Sequence, residues 1–309
     1  MKNKIYQYFI FTLLFPSIVA CQSGITHEPE ENKPSLPIEE KTPDWPISSY
    51  NFGGMEDLSV VEQVSLLRNS AYDGIILRIA KEQDFEMLPD FLEESDKFDD
   101  FSINAAFIRY NFNDPTERRE NWTGVVDQIA GKKIQLWVIF GKKVEGYNDA
   151  FVENKLREIV DYSTPKEVEV ILYPHSSCYF ESAEEGLPLV KKINHDNLKI
   201  AFHLYHEIRA KNGARIHEVL EAIKPSLGAV TIAGTDSVAD YSSSRARDTT
   251  TIKPLGQGTY DVKQFSQQLF ETGYSGYVGF MNFKLKQSPE IYLPGSKSIW
   301  DSYFASGDN

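Results

Sequence analysis

Three of the six histidines, His175, His203 and His206, fall within a span of about thirty residues, with Glu207 directly after the third. Imidazole titrates close to ambient pH and has two distinct ring nitrogens, so a histidine group suits proton transfer or metal ligation. Two chemistries follow. His175 or His206 serves as a general base, with His203 beside them. Alternatively, the three imidazoles form a Zn²⁺- or Mn²⁺-type site with an open position, and Glu207 lies close in sequence. The plain alternative is that they hydrogen-bond within the rim of a barrel. The segment His203-Leu204-Tyr205-His206-Glu207 is not a metalloprotease motif, which needs two histidines four apart on a helix with Glu after the first. No serine-nucleophile elbow, P-loop or Cys–His pairing appears elsewhere. Cys178 reads as an ordinary small half-buried residue, and His195, His217 and His27 as surface or tether residues.

The elements that must position these groups alternate regularly from residue 47 onward. Short β-rich apolar runs are predicted at 48–52, 74–79, 103–110, 134–140, 168–173, 199–205, 228–233 and 277–282. Each is followed by a segment with helical spacing. Several of the runs are apolar almost throughout, as parallel strands covered on both faces are. Ser59 opens a helix carrying Val60, Val61, Val64 and Leu67. Asp114-Pro115 opens another, with Asp as cap and Pro in the first turn. Asp261 caps a helix that stops at Gly273, and Ile291–Phe304 forms the last. Eight βα units in about 260 residues predict a single α/β domain, a (β/α)8 TIM barrel over 47–309.

That fold directs attention to the strand C-termini, where working residues of such barrels gather. Reading them in order gives Asn51, Arg78, Arg109, Lys142, Tyr173 with His175, His203 with His206 and Glu207, Asp236, and Asn282 with Lys284. Basic, amide and imidazole groups on one rim suit a polyhydroxylated or anionic ligand. Arg109, Lys142 or Lys284 would stabilise developing negative charge, Tyr173 and Asn282 would orient substrate hydroxyls, and Arg78 and Glu207 would also bind substrate.

The N-terminus carries a different message. Lys2 and Lys4, an apolar run over Ile5–Val19 and the small Ala20 have the layout of a secretory signal (1–20). The run is too short for a comfortable transmembrane helix. Ile18-Val19-Ala20-Cys21 matches a bacterial lipobox, which makes Cys21 a lipidation site and the protein a lipoprotein of the cell envelope, at the outer membrane, in the periplasm or surface-exposed. Residues 21–46 are rich in Pro, Glu, Lys and Ser and read as a disordered tether. With Cys21 acylated, Cys178 has no partner, so no disulfide supports the fold. The net charge of −13, more negative once Lys2 and Lys4 leave, argues against a nucleic-acid partner.

Strands five to eight also carry an ordered series: Tyr173-Pro174-His175, Phe202-His203-Leu204-Tyr205-His206, Val230-Thr231-Ile232-Ala233-Gly234, Pro254-Leu255-Gly256-Gln257-Gly258-Thr259-Tyr260-Asp261-Val262 and Gly273-Tyr274-Ser275-Gly276-Tyr277-Val278-Gly279. The series resembles the sugar-phosphate isomerase/epimerase family of xylose-isomerase-like TIM barrels, well over about 165–304 and in general layout before that. The resemblance implies carbohydrate chemistry, with one divalent metal held by Glu, Asp, His and Glu at the ends of strands 5 to 8. This chain departs from that set: Tyr173, His203, Ala233 or Gly234, and Asn282 or Met281 stand at those positions. Hard cations such as Mg²⁺ want carboxylates. Two functions therefore stay open. One is an isomerase, epimerase or keto-sugar lyase working by proton abstraction beside a sugar carbonyl. The other is an inactive barrel that binds a sugar or a protein partner. The setting outside the cytoplasm and the acidic chain favour glycan fragments or oxidised sugars over sugar phosphates.

Overall fold

The computed structural model describes residues 43–112, 121–237 and 251–305. The signal, Cys21, most of the tether and the helix expected at Asp114-Pro115 lie outside the described residues. Within them, eight strands close into a parallel barrel in chain order. They are β1 (Ile47–Tyr50), β2 (Gly74–Ile79), β3 (Ser102–Tyr110), β4 (Gln135–Phe140), β5 (Val170–Leu172), β6 (Leu198–His203), β7 (Leu227–Ile232) and β8 (Val278–Phe280). β1 pairs with β8 through Ile47↔Val278, Ser48↔Gly279 and Ser49↔Phe280, which closes the ring. The predicted single (β/α)8 barrel is the observed architecture.

Helices follow the strands on the outside: α1 (Val60–Asn69), α2 (Glu82–Glu86), α3 (Leu88–Ser95), α4 (Trp122–Ile129), α5 (Asp149–Ser163), α6 (Ala183–Ile193), α7 (Leu204–Arg209), α8 (Ile216–Ile223), α9 (Val262–Glu271) and α10 (Pro289–Ser302). Their starts follow the sequence signals. Ser59 accepts from the Glu62 amide while the Glu62 carboxylate accepts from Ser59 N, a reciprocal capping box. Asp261 accepts from Gln264 N at 2.8 Å.

Two layers of apolar side chains hold the barrel. Outside, Val138, Leu172, Ile200 and Val230 face the helices. Inside, Ile76, Phe107, Trp137, Ile139, Ile171 and Ala229 fill the lumen. Alternation along each strand produces both layers at once. Gly279 shows how tightly the lumen is filled: a Cβ there would come within 2.5 Å of Ile76 Cδ1. Glycine is what lets Tyr50 (fully buried) stand across the barrel, where its hydroxyl contacts Tyr173 at 3.0 Å and Thr231 at 2.8 Å.

Several boundaries differ from those expected, β5 and β8 among them being shorter, and two of the changes matter most. Trp45, read as tether, is buried: its indole N–H donates to Tyr274 O at 2.7 Å and its ring packs on Phe270, Trp300 and Phe304. The folded domain thus begins before β1. The sixth strand was expected to run to residue 205, but β6 stops at His203 and α7 starts at Leu204. His206 and Glu207 therefore sit on the first turns of a helix and not at a strand end.

Candidate functional site

That early helix start builds the centre of the site. His203 is the N-cap of α7 and His206 its third residue, and positions three apart on a helix share a face. The two imidazoles lie 4.0 Å apart between ring centroids, tilted by 44°. The third comes from the loop after β5. There Cys178 N–H donates to His175 O at 3.0 Å and His175 N–H to Phe180 O at 2.8 Å, a tight turn with Ser177 at φ 62°. The turn holds the His175 ring 4.1 Å from that of His206. All three rings line one cavity of about 680 Å³ at the barrel mouth.

Their hydrogen bonds differ. His175 Nδ1 lies 2.9 Å from Ser176 O. A carbonyl only accepts, so in the neutral ring Nδ1 carries the proton and Nε2 keeps a lone pair. His206 Nδ1 contacts Ser176 Oγ at 2.6 Å, and its Nε2 has no partner. His203 is 2% exposed, with both ring nitrogens buried and unpartnered. Burial drives the His206 and His203 pKa values well below the imidazole range; the neighbouring histidines add to it. Both rings are therefore neutral at ambient pH.

Arg109 and Arg78 reach the same cavity. Arg78 stands 3.8 Å from Asp84 and over the Phe52 ring. Arg109 donates through Nη2 to Cys178 Sγ at 3.2 Å, while its Nε is buried without a partner. Burial pushes the Cys178 thiol up, with Arg109 opposing, so the sulfur is a neutral thiol.

Other expected site residues lie elsewhere. The Tyr173 ring lines the cavity, but its hydroxyl is turned into the barrel toward Tyr50. Asn282 does not face the cavity: its amide nitrogen contacts Tyr50 O, Phe52 O and the Tyr292 hydroxyl, pinning β8 to β1. Lys142 and Lys284 are exposed and outside the lining, Lys284 lying over the neighbouring Phe283 ring. Asp236 is bound to Lys253 at 2.7 Å, and Asn51 accepts from Arg78 N at 3.0 Å. Conversely, the sequence reading passed over an apolar wall formed by Phe52, Phe107, Ile139, Tyr205, Met281 and Phe283, and over Lys81 and Glu82. Strand alternation was the available signal, since Phe107 shares a face with Arg109.

Glu207 is also not a substrate ligand. One residue past His206, it points away from the mouth, is 1% exposed, and accepts from Ala183 N at 2.6 Å and Asn212 Nδ2 at 2.7 Å. It thereby ties α7 to the N-terminus of α6. Burial raises its pKa from 4.5 to about 7, the two donors opposing. The folded state thus holds the proton more tightly than the unfolded chain, and stability falls as pH rises from 4.5 to 7. The integrated loss is about 3 kcal/mol. Glu207→Gln removes this term. Its stability relative to the parent should rise by about that amount between pH 5 and pH 8 in denaturant titrations; parallel profiles would refute the assignment.

The metal set implied by the family resemblance does not fit. Its four strand-end positions hold an internally bonded tyrosine, a histidine, a side-chain-free or methyl-bearing residue, and an asparagine committed to backbone. Among the described residues, no three His, Cys, Asp or Glu side chains are arranged to hold a metal ion. The three imidazoles pack as tilted rings, and one nitrogen in each of His175 and His206 is already engaged.

Comparison with known proteins gives a consistent fold. The family model described as a xylose isomerase-like TIM barrel matches residues 121–296, more than half of the chain. A search of curated proteins yields no match. Among solved structures, the chain is similar to a probable 3-DHS dehydratase, AsbF, of Bacillus anthracis (TM-score 0.66, 15% identity, covering 82% of this chain and 98% of that one). It is also similar to the D-allulose 3-epimerase of Methylomonas sp. (TM-score 0.64, 16%, 85% and 99%) and the 3-keto-D-glucoside 4-epimerase of E. coli (TM-score 0.62, 15%, 84% and 99%). At these identities the likeness concerns the fold.

Proposed function

We propose that this chain, which belongs to the xylose isomerase-like TIM-barrel family, is a carbohydrate-active enzyme that moves a proton at the carbon beside a sugar carbonyl. The observation that carries the reading is the paired His175 and His206 rings, 4.1 Å apart on a cavity of about 680 Å³. The Ser176 carbonyl leaves His175 Nε2 with a lone pair at the required protonation state.

His175 Nε2 takes the proton. The C–H electron pair forms the carbon–carbon double bond of an enol(ate), and the carbonyl π pair moves to oxygen. When Ser176 Oγ–H donates to His206 Nδ1, the neutral His206 ring presents Nε2–H to that oxygen. A neutral imidazole is a competent donor to a developing enolate. Return of the proton to the former carbonyl carbon, with the α-hydroxyl proton passing to the old carbonyl oxygen, gives isomerisation; protonation of the original carbon on its opposite face, by a donor other than His175, gives epimerisation. His203 offers two unsatisfied nitrogens to substrate hydroxyls. Ile18-Val19-Ala20-Cys21 supports the companion proposal that acylated Cys21 holds the enzyme at the cell envelope.

The test is deuterium incorporation in D₂O followed by NMR, across aldoses, ketoses, keto-sugars and uronates. Exchange at a single carbon-bound position supports the reading. Saturable binding without exchange anywhere in the panel replaces it with a sugar-binding barrel that has lost catalysis.

A further inference from the structure

We propose that the substrate of this cavity carries a carboxylate, held by Arg109, so that the ligand class is a uronic acid or its keto derivative. The inference rests on the reading of the cavity as a sugar site and specifies what kind of sugar enters it.

Arg109 is a cation with no counter-ion among the described residues. Its Nη2 meets only the neutral Cys178 thiol, and its Nε is buried with no acceptor. Of the other cations lining the cavity, Arg78 lies 3.8 Å from Asp84, and Lys81 is exposed to solvent at its edge. A half-buried guanidinium whose Nε is shut off from water without an acceptor is costly, and such a cost persists where a ligand supplies the missing charge. His203 and His206 repeat the pattern, being buried side chains with unpartnered nitrogens on the same cavity.

The anion is a carboxylate on charge and shape. One guanidinium offers one positive charge, and its planar set of N–H donors matches the two oxygens of a carboxylate. A phosphate dianion calls for a second cation as sheltered from water as Arg109, whereas Lys81 is exposed at the cavity edge and Lys142 and Lys284 stand outside the lining. Size agrees as well. Cys178 Sγ lies 3.2 Å from Arg109 Nη2 and 3.6 Å from His175 Nδ1, so the guanidinium and the near edge of the His175 ring are no more than about 7 Å apart. A single sugar ring bridges that gap, its carboxylate on Arg109 and a ring C–H toward His175. Phe107, two residues before Arg109 on β3, and Phe52 give its apolar face a wall.

The test is calorimetric titration of the full chain with D-galacturonate and D-glucuronate, D-galactose and D-glucose, and D-glucose 6-phosphate. Uronates should bind at least tenfold more tightly than the parent sugars. Arg109→Gln should weaken uronate binding by about 10- to 100-fold while leaving the neutral sugars within a few-fold, and Arg109→Lys should recover part of it. Equal affinity for acids and neutral sugars, a preference for the phosphate, no binding of any uronate, or a uronate preference that survives Arg109→Gln would overturn the proposal. Failure here is separable from failure of the enolisation reading. Neutral keto-sugars that exchange deuterium without uronate binding leave His175 as base and remove the carboxylate. Uronate binding that depends on Arg109 without exchange does the reverse.

Discussion

Alanine at His175 is expected to slow deuterium exchange by about 10²- to 10⁴-fold, the range a general base supplies, with ligand affinity changed only a few-fold. The asymmetry follows from geometry. His175 is half-buried on a turn whose backbone bonds, His175 N–H to Phe180 O and Cys178 N–H to His175 O, do not involve the imidazole. Removing the ring leaves the loop in place and the apolar wall untouched. What is lost is the nitrogen that bears the lone pair because the other nitrogen is committed to Ser176 O. The effect should lie in kcat, since the interaction strengthens as the proton moves. His206→Ala, which removes a donor to the carbonyl oxygen, should cost roughly 10²- to 10³-fold. If both variants keep the parent exchange rate, the bases are elsewhere.

The barrel was legible because its strands are covered on both faces. A run such as Gln135–Phe140, buried along its whole length, cannot be an exposed edge. Capping residues fixed the helix starts at Ser59 and Asp261 because a side-chain oxygen there meets an otherwise orphan amide. The site was legible to the level of strand ends and failed at the level of single residues. His203, His206 and Glu207 were read as one group, but the helix begins between the first and second of them. A turn of about 100° per residue then sends His206 to the cavity and Glu207 to α6. Asn282 stood at a strand end, where composition could not reveal that its amide holds β1. Trp45 was lost in a polar stretch because composition averages over neighbours, and burial of one indole does not. The apolar wall went unread because attention to polar residues skips the residue two places earlier. Phe107 before Arg109 shows that alternation would have found it.

His203 carries the second large effect, and its sign is the informative part. Phenylalanine at this position is expected to stabilise the fold and weaken ligand binding together. The His203 ring is stacked against Tyr173 at an interplanar angle of 12°, an arrangement a phenyl ring of similar volume can keep. What changes is polarity: both buried nitrogens lack partners, and each orphan atom costs on the order of 1 kcal/mol or more. Their removal should contribute about 2–4 kcal/mol, roughly 5–10 °C in Tm for a domain of this size. The gain should grow in acid. Burial, reinforced by His175, holds the His203 pKa well below 6.5, so below that pH the unfolded chain takes up a proton the folded chain refuses. The parent therefore loses stability as pH falls through that range, and the variant lacks this term. Sugar affinity should fall by about tenfold or more as two hydrogen-bonding positions vanish. Thermal melts at pH 5.5 and pH 8 with a parallel titration read all of this. A variant that melts lower than the parent at both pH values would mean that the nitrogens are satisfied within the fold. A core histidine of that kind serves structure, whereas stability surrendered at a cavity wall is what a binding site requires.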